Sequence, residues 1–170
     1  MEHLYLDDVD LRLLDHLQKD ASLSNLELAQ RVHTSPPTCL RRVKRLRDAG
    51  VIERQVAHLS TDHLTPLLGA GLCVVVEITL DRQGAEWLEA FERMVAPDDA
   101  VQQCYRVSPG PDFVLVIHTT DMPAYLLLAQ RLFADSANVR NVKAFFSVKR
   151  SKFGAQLPLK RRSAPAAGAG

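Results

Sequence analysis

A single interruption in hydrophobic periodicity limits the folds open to this chain more than any other feature. Before Ser60 the apolar residues recur at helical spacing. From Ser60 to Gly71 a run rich in Thr, Asp, His, Pro and Gly fits neither helix nor strand, and beyond it apolar runs of strand length alternate with helical ones. The break predicts a helical domain at 1–60, a linker at 61–71, a mixed domain at 72–150 and a tail at 151–170. A length of 170 residues accommodates two such small domains.

In the first domain, Val9, Leu11, Leu13, Leu14 and Leu17 lie on one helical face behind Asp7, Asp8 and Asp10, where negative charge favours a helix start. They predict a helix over about 8–19. Ser24-Asn25-Leu26-Glu27 is a capping box that opens a short second helix carrying Leu26, Leu28, Ala29 and Val32. After the brief polar join His33-Thr34-Ser35, Pro36 and Pro37 suit a first helical turn. Cys39, Leu40, Val43 and Leu46 supply the buried stripe of a third helix, and Gly50 closes it. Three helices with so short a second join read as a helix-turn-helix, whose later element is the recognition helix. Val51 to Leu59 reads as extended, a wing or linker strand.

The second domain reads βαββαβ. Its strands are expected at 72–80, 101–107, 113–119 and 142–148; one helix carries Trp87, Leu88, Phe91, Met94 and Val95, the other Tyr125, Leu126, Ala129, Leu132 and Phe133. Right-handed crossovers then place both helices on one face of a ferredoxin-like sheet, giving an α+β chain. The runs LCVVVEITL and FVLVIHT are apolar at nearly every position, as in strands buried on both sides, so the uncovered face is expected to pack on a second copy.

A formal charge of +1, from 21 basic and 20 acidic side chains, excludes binding of nucleic acid through bulk charge. The basic residues instead cluster. Once the third helix turns its apolar stripe inward, Thr38, Arg41, Arg42, Lys44, Arg45 and Arg47 form an outward or flanking cationic face. Thr38 with Arg41 or Arg42 are the candidates for base edges, and Lys44, Arg45 and Arg47 for phosphates; Ser35, Pro36 and Pro37 lead the helix into the groove. The two prolines remove amide donors, so side chains must supply the anion contacts. The acidic first helix is expected to face elsewhere.

Other chemistry is poorly represented. Cys39, Cys73 and Cys104 are odd in number and widely spaced, forming no metal clamp or disulfide framework, and they suit a reducing compartment. The six histidines show no metal-ligand spacing, and no GxSxG, P-loop or GxGxxG occurs. An enzyme is therefore not expected, nor a metal or cofactor. The acidic start lacks a leader pattern and no run is long enough to span a bilayer, which points to the cytoplasm. The tail ends in SAPAAGAG and is expected to be disordered, with the basic cluster Lys160-Arg161-Arg162 solvated.

LDDVDLRLLDHLQKDASLSNLELAQRV and SPPTCLRRVKRLRDAGVIERQVAHLS, followed by CVVVEITL, the Asp121-Met122 pair and the fourth strand, resemble the Lrp/AsnC (leucine-responsive, or feast/famine) transcriptional regulators over most of residues 6–150. The resemblance implies a winged helix-turn-helix bound to double-stranded DNA and a domain for effector binding and oligomerisation, with dimers that often build tetramers, octamers or larger rings. It also implies an amino-acid effector near the loop between the second and third strands, where subunits meet. The family's loop usually reads Ser/Thr-Gly-acidic-aromatic-Asp; here it is Ser108-Pro109-Gly110-Pro111-Asp112. Asp112 is retained and suits an ammonium group, whereas Pro109 and Pro111 each delete a backbone donor. Tyr105, Gly110, Asp112, Met122, Phe145, Phe146 and Ser147 match family positions around the pocket. Two alternatives remain: an architectural DNA-compacting protein without an effector, and a small-molecule-binding module or enzyme in which the helices serve only assembly.

Overall fold

Acidic and hydroxyl side chains three residues apart start the first two helices. Helix α1, Asp8–Leu17, follows Asp7, whose Oδ1 accepts from the amides of Val9 and Asp10 at 2.9 Å each, while Asp10 Oδ2 accepts from the Asp7 amide at 3.1 Å. Helix α2, Asn25–Arg31, begins with the expected box: Glu27 Oε2 accepts from the Ser24 amide at 2.9 Å and Ser24 Oγ from that of Glu27 at 3.3 Å. Each box satisfies amides that a helix start otherwise leaves without partners.

The computed structural model describes residues 5–69 and 71–159. The described residues form two units, one comprising residues 5–57 and 152–159, the other lying within His58–Ser151.

In the helical unit, His33 takes a left-handed conformation, φ 55°, to turn the chain out of α2. Helix α3, Pro36–Asp48, starts on its two prolines, and Asn25 Nδ2 donates to the Pro36 carbonyl at 2.9 Å, tying the starts of α2 and α3 together. Gly50, φ 72°, ends α3, and the Val51 amide reaches back to the Leu46 carbonyl at 2.9 Å. Leu13, Leu28, Ala29, Val32 and Cys39 form the core, with Val9, Leu17, Leu23 and Val43 packed on it. Leu26 and Leu40 depart from expectation: they are 57% and 61% exposed. Leu40 follows the core residue Cys39 by one position, a rotation of about 100°, and Leu26 precedes Leu28 by two, about 200°, which carries each off a stripe this narrow. Val51–Leu59 contains no strand. Residues expected to be a loose tail return to this unit, where Gln18 Oε1 accepts from the Leu157 amide at 2.9 Å and Gln18 Nε2 donates to its carbonyl at 3.0 Å. Lys160, Arg161 and Arg162 lie outside the described residues.

In the second unit, the stretch read as linker carries helix α4, Thr61–Leu68, capped by Ser60 and interrupted only by Pro66. Pro66 lacks an amide to donate, so it forfeits one bond of the ladder. Strand β1, Leu72–Leu80, helix α5, Ala85–Val95, strands β2, Val101–Arg106, and β3, Phe113–Thr119, helix α6, Met122–Ala129, continued by a π turn Gln130–Ala134, and strand β4, Val139–Phe146, complete the βαββαβ order. The sheet runs β2-β3-β1-β4 with every pairing antiparallel. β4 begins three residues earlier than expected because Val139 pairs with Leu80 across an irregularity beside Thr79.

Alternation along β1 sends Val74, Val76, Ile78 and Leu80 into the core, joined by Phe113, Leu115 and Ile117 of β3. The core is roofed by Phe91 and Val95 of α5 and by Tyr125, Leu128, Leu132 and Phe133, all on one face of the sheet. Leu128 takes the inward place expected of Leu126, which is 59% exposed. Cys73, Val75, Glu77 and Thr79 of β1 and Val114, Val116 and His118 of β3 occupy the opposite face by register.

Candidate functional site

The cations of α3 are divided between two tasks. Arg42 turns inward: its Nη1 donates to Asp7 Oδ2 at 2.7 Å and to Asp10 Oδ1 at 2.9 Å, and its side chain is 25% exposed. Arg45 Nη2 donates to Asp10 Oδ2, on a carboxylate only 1% exposed. The start of α1 therefore does not face elsewhere; it neutralises two of the five charges expected to meet DNA. Two acidic residues spaced i, i+3 at the start of α1, Asp7 with Asp10, and two basic residues at the same spacing on α3, Arg42 with Arg45, were the signal in the sequence. The amide of Asp10 and then the guanidinium of Arg42 hold the Asp7 carboxyl at about 2, against 3.8 ordinarily. Asp7 and then Asp10 raise the Arg42 guanidinium further.

The rest of the face is open. Among the described residues Arg41 has no side-chain hydrogen bond or ion pair, and it is exposed. Thr38 lies three residues before it, its Oγ1 accepting from Ser35 Oγ at 2.8 Å. Lys44 meets Asp48 at 2.7 Å and Arg47 meets Gln55 at 2.7 Å, both exposed, so neither contact removes much charge from solvent. Pro36 and Pro37 are exposed at the helix start.

The residues expected around an effector separate into two groups. Tyr105, paired with Val114, lies near the start of β3 with Gly110 and Asp112. Met122 follows the end of β3, and at that end Phe146 pairs with Val74 and Phe145 with Val75, while the Ser147 amide donates to the Cys73 carbonyl at 2.9 Å. Seven strand residues separate the groups by about 23 Å. Tyr105 and Phe145 share the open face but sit on the two edge strands; Phe146 lies on the helical face, its ring 5.3 Å from that of Tyr125. Asp112 Oδ2 already accepts from the Leu80 amide at 2.7 Å and from Gln83 Nε2 at 3.3 Å, which ties the loop before β3 to the end of β1. Gly110, φ 124°, supplies a conformation that a side chain would strain. Within one protomer these expected residues do not converge.

Cys39 is fully buried, and burial pushes its thiol pKa up, consistent with a packing role. No group of three or more His, Cys, Asp and Glu suited to a metal occurs among the described residues. No described helix is long and apolar enough to cross a membrane.

Known proteins share both units. Residues 6–53 match the family described as winged helix-turn-helix DNA-binding, and residues 73–157 match the Lrp/AsnC ligand binding domain. The leucine-responsive regulatory protein of Escherichia coli is 35% identical over 157 residues, which span 92% of this chain and 93% of that protein. An uncharacterized HTH-type transcriptional regulator of Haemophilus influenzae is 35% identical over 147 residues, 86% of this chain and 85% of its own. Among solved structures, a transcriptional regulator of Neisseria meningitidis in complex with L-Met superposes with a TM-score of 0.77 at 31% identity, covering 91% of this chain and 97% of the other. An AsnC family regulator from Agrobacterium tumefaciens gives 0.78 at 30% identity, with the same coverage.

Proposed function

The chain belongs to the Lrp/AsnC family of transcriptional regulators, and from that premise we propose that it binds DNA as a homodimer in the cytoplasm, with α3 in the major groove and a small amino acid as effector. Arg41 carries the reading: it is an exposed guanidinium with no partner among the described residues, on the leading half of the second helix of a helix-turn-helix. Arg41 and Thr38 read base edges, Lys44 and Arg47 meet phosphates, and Ser35, Pro36 and Pro37 lie against the groove's edge. Arg42 and Arg45 are anchored to α1.

Dimerisation is supported by the open sheet face, where Val75, Val114 and Val116 are side by side without a covering element of their own unit. Two protomers related by a twofold axis present paired helices to half-sites about 34 Å apart or a multiple of that spacing. A second protomer also answers the effector problem, since it brings the Tyr105–Asp112 end of one sheet to the Met122–Ser147 end of another. The L-Met complex of the Neisseria relative supports an amino acid as ligand.

One observation favours a second reading, an architectural protein without an effector: Asp112 Oδ2 is engaged by Leu80 and Gln83. Calorimetry with the common amino acids separates the two, because sensing requires a heat of binding. The DNA reading is tested by mobility shift on a duplex selected from a random-sequence pool. Arg41→Ala is expected to weaken binding to the selected duplex about tenfold or more relative to a scrambled one, as loss of a bidentate base contact does. An unchanged titration refutes the assignment of α3.

A further inference from the structure

The division of cations on α3 has a consequence for selectivity. Asp10 is 1% exposed, yet both of its oxygens are engaged by guanidinium groups of another helix. Arg42 is held a second time by Asp7, and its side chain is only 25% exposed. Arg45 has no second acidic partner among the described residues, and its side chain is 44% exposed. It stands four residues after Arg41 and seven after Thr38, on the same helical face as both. Arg45 is thus a cation at the border of the groove-facing surface, restrained by one buried carboxylate.

Binding to arbitrary sequence draws almost wholly on phosphate attraction, whereas discrimination comes from base edges. A free Arg45 would strengthen contact with arbitrary sequence most, because there no base contact fixes the register and the side chain can seek a phosphate, whereas on a selected site the register is already set by Thr38 and Arg41. We propose that Asp10 is a positioning residue for DNA selectivity: by holding Arg45, and Arg42 with it, against α1, it withholds their charge from phosphates and leaves discrimination to Thr38 and Arg41. This rests on the reading of α3 as the DNA-contacting helix. The arrangement also accounts for a buried carboxylate in a place where apolar packing would serve stability equally well.

The test uses the full chain, a duplex selected from a random-sequence pool and a scrambled duplex of the same length. Binding is followed by fluorescence anisotropy from 50 to 200 mM salt, with circular dichroism as the check on folding. Asn is isosteric with Asp, so Asp10→Asn keeps an acceptor for the Asp7 amide while removing the charge. Asp10→Asn is expected to steepen the salt dependence on the scrambled duplex by about 0.9 per bound protomer, a change of about 3.5-fold in relative affinity across that salt range. The ratio of selected to scrambled affinity falls accordingly. Adding Arg45→Gln to Asp10→Asn returns the slope to the wild-type value, which a merely structural role for Asp10 does not predict.

Arg45→Gln in the otherwise native chain is expected to leave the slope unchanged, and this variant still decides the matter if Asp10→Asn fails to fold. A slope that drops by about 0.9 in Arg45→Gln alone shows Arg45 already on phosphate and overturns the proposal, as does a native slope in folded Asp10→Asn. The underlying reading fails separately: Arg41→Ala then binds the selected duplex as the native chain does.

Discussion

Replacing Asp7 by Asn, and separately by Ala, divides the work of one side chain into its capping and charge components. The carboxyl, at about 2 when folded and 3.8 ordinarily, would stabilise the fold by roughly 2 kcal/mol if fully shielded. It is 38% exposed, and solvent screening reduces the contribution to about 1 kcal/mol. Asn offers the amides of Val9 and Asp10 only a weaker, uncharged acceptor and loses the attraction to Arg42, so Asp7→Asn costs about 1 kcal/mol at neutral pH. Ala removes the cap as well and costs about 2 kcal/mol. Because the folded-state value is depressed, the charge contribution is fully present above about pH 4 and is lost as pH falls through the folded value. The deficit of Asp7→Asn relative to the native chain should be level from pH 7 to 5 and about halved at pH 3, while Asp7→Ala keeps its capping deficit throughout. Urea titrations of the full chain followed by far-UV circular dichroism at those three pH values read the difference, and a thermal scan at pH 7 should place the helical unit's transition about 4–8 °C lower for Asp7→Asn. A native-like Asp7→Asn at pH 7, or a deficit that persists undiminished into acid, refutes the assignment of charge to this pair.

Gly50→Ala forces a Cβ into φ 72° with no gain in contacts, and should lower stability by about 1 kcal/mol in the same urea assay. Leu13→Ala empties a fully buried site in the small helical core and should cost about 2–5 kcal/mol, enough for thermal scanning to show that unit melting first. Val116→Glu places a charge in the middle of the open sheet face; light scattering should find the chain shifted from dimer to monomer with its circular dichroism intact, and an undisturbed dimer would locate the protomer contact elsewhere.

The architecture was readable in the sequence wherever one local pattern settled it. The capping box at Ser24, the acidic start of α1, the proline start of α3, the Gly50 stop and the βαββαβ order follow from residue type and spacing. Periodicity is less reliable at the edges of stripes, where Leu40 and Leu126 sit one step, and Leu26 two, from a buried neighbour and a small core does not reach them. Helix α4 was obscured by Pro66 and by a composition that suits loops, although Ser60 provides an ordinary cap. The site was legible only in part. That α3 carries a basic face is a property of one helix; which cations remain available is a property of two, because Arg42 and Arg45 meet Asp7 and Asp10 only in the folded unit. The residues expected around an effector are likewise single positions in the sequence, whereas the separation between Asp112 and Met122 emerges only from the sheet.

The bond between Gln18 and Leu157 means that described residues from before and after the sheet unit belong to one helical unit. A change near Leu157 therefore acts on the same body as a change near Gln18. Removing the residues after Ser151 to obtain a trimmed sheet domain would instead strip α1 of a neighbour, and a weakened DNA interaction after such trimming would report on the recognition end of the molecule.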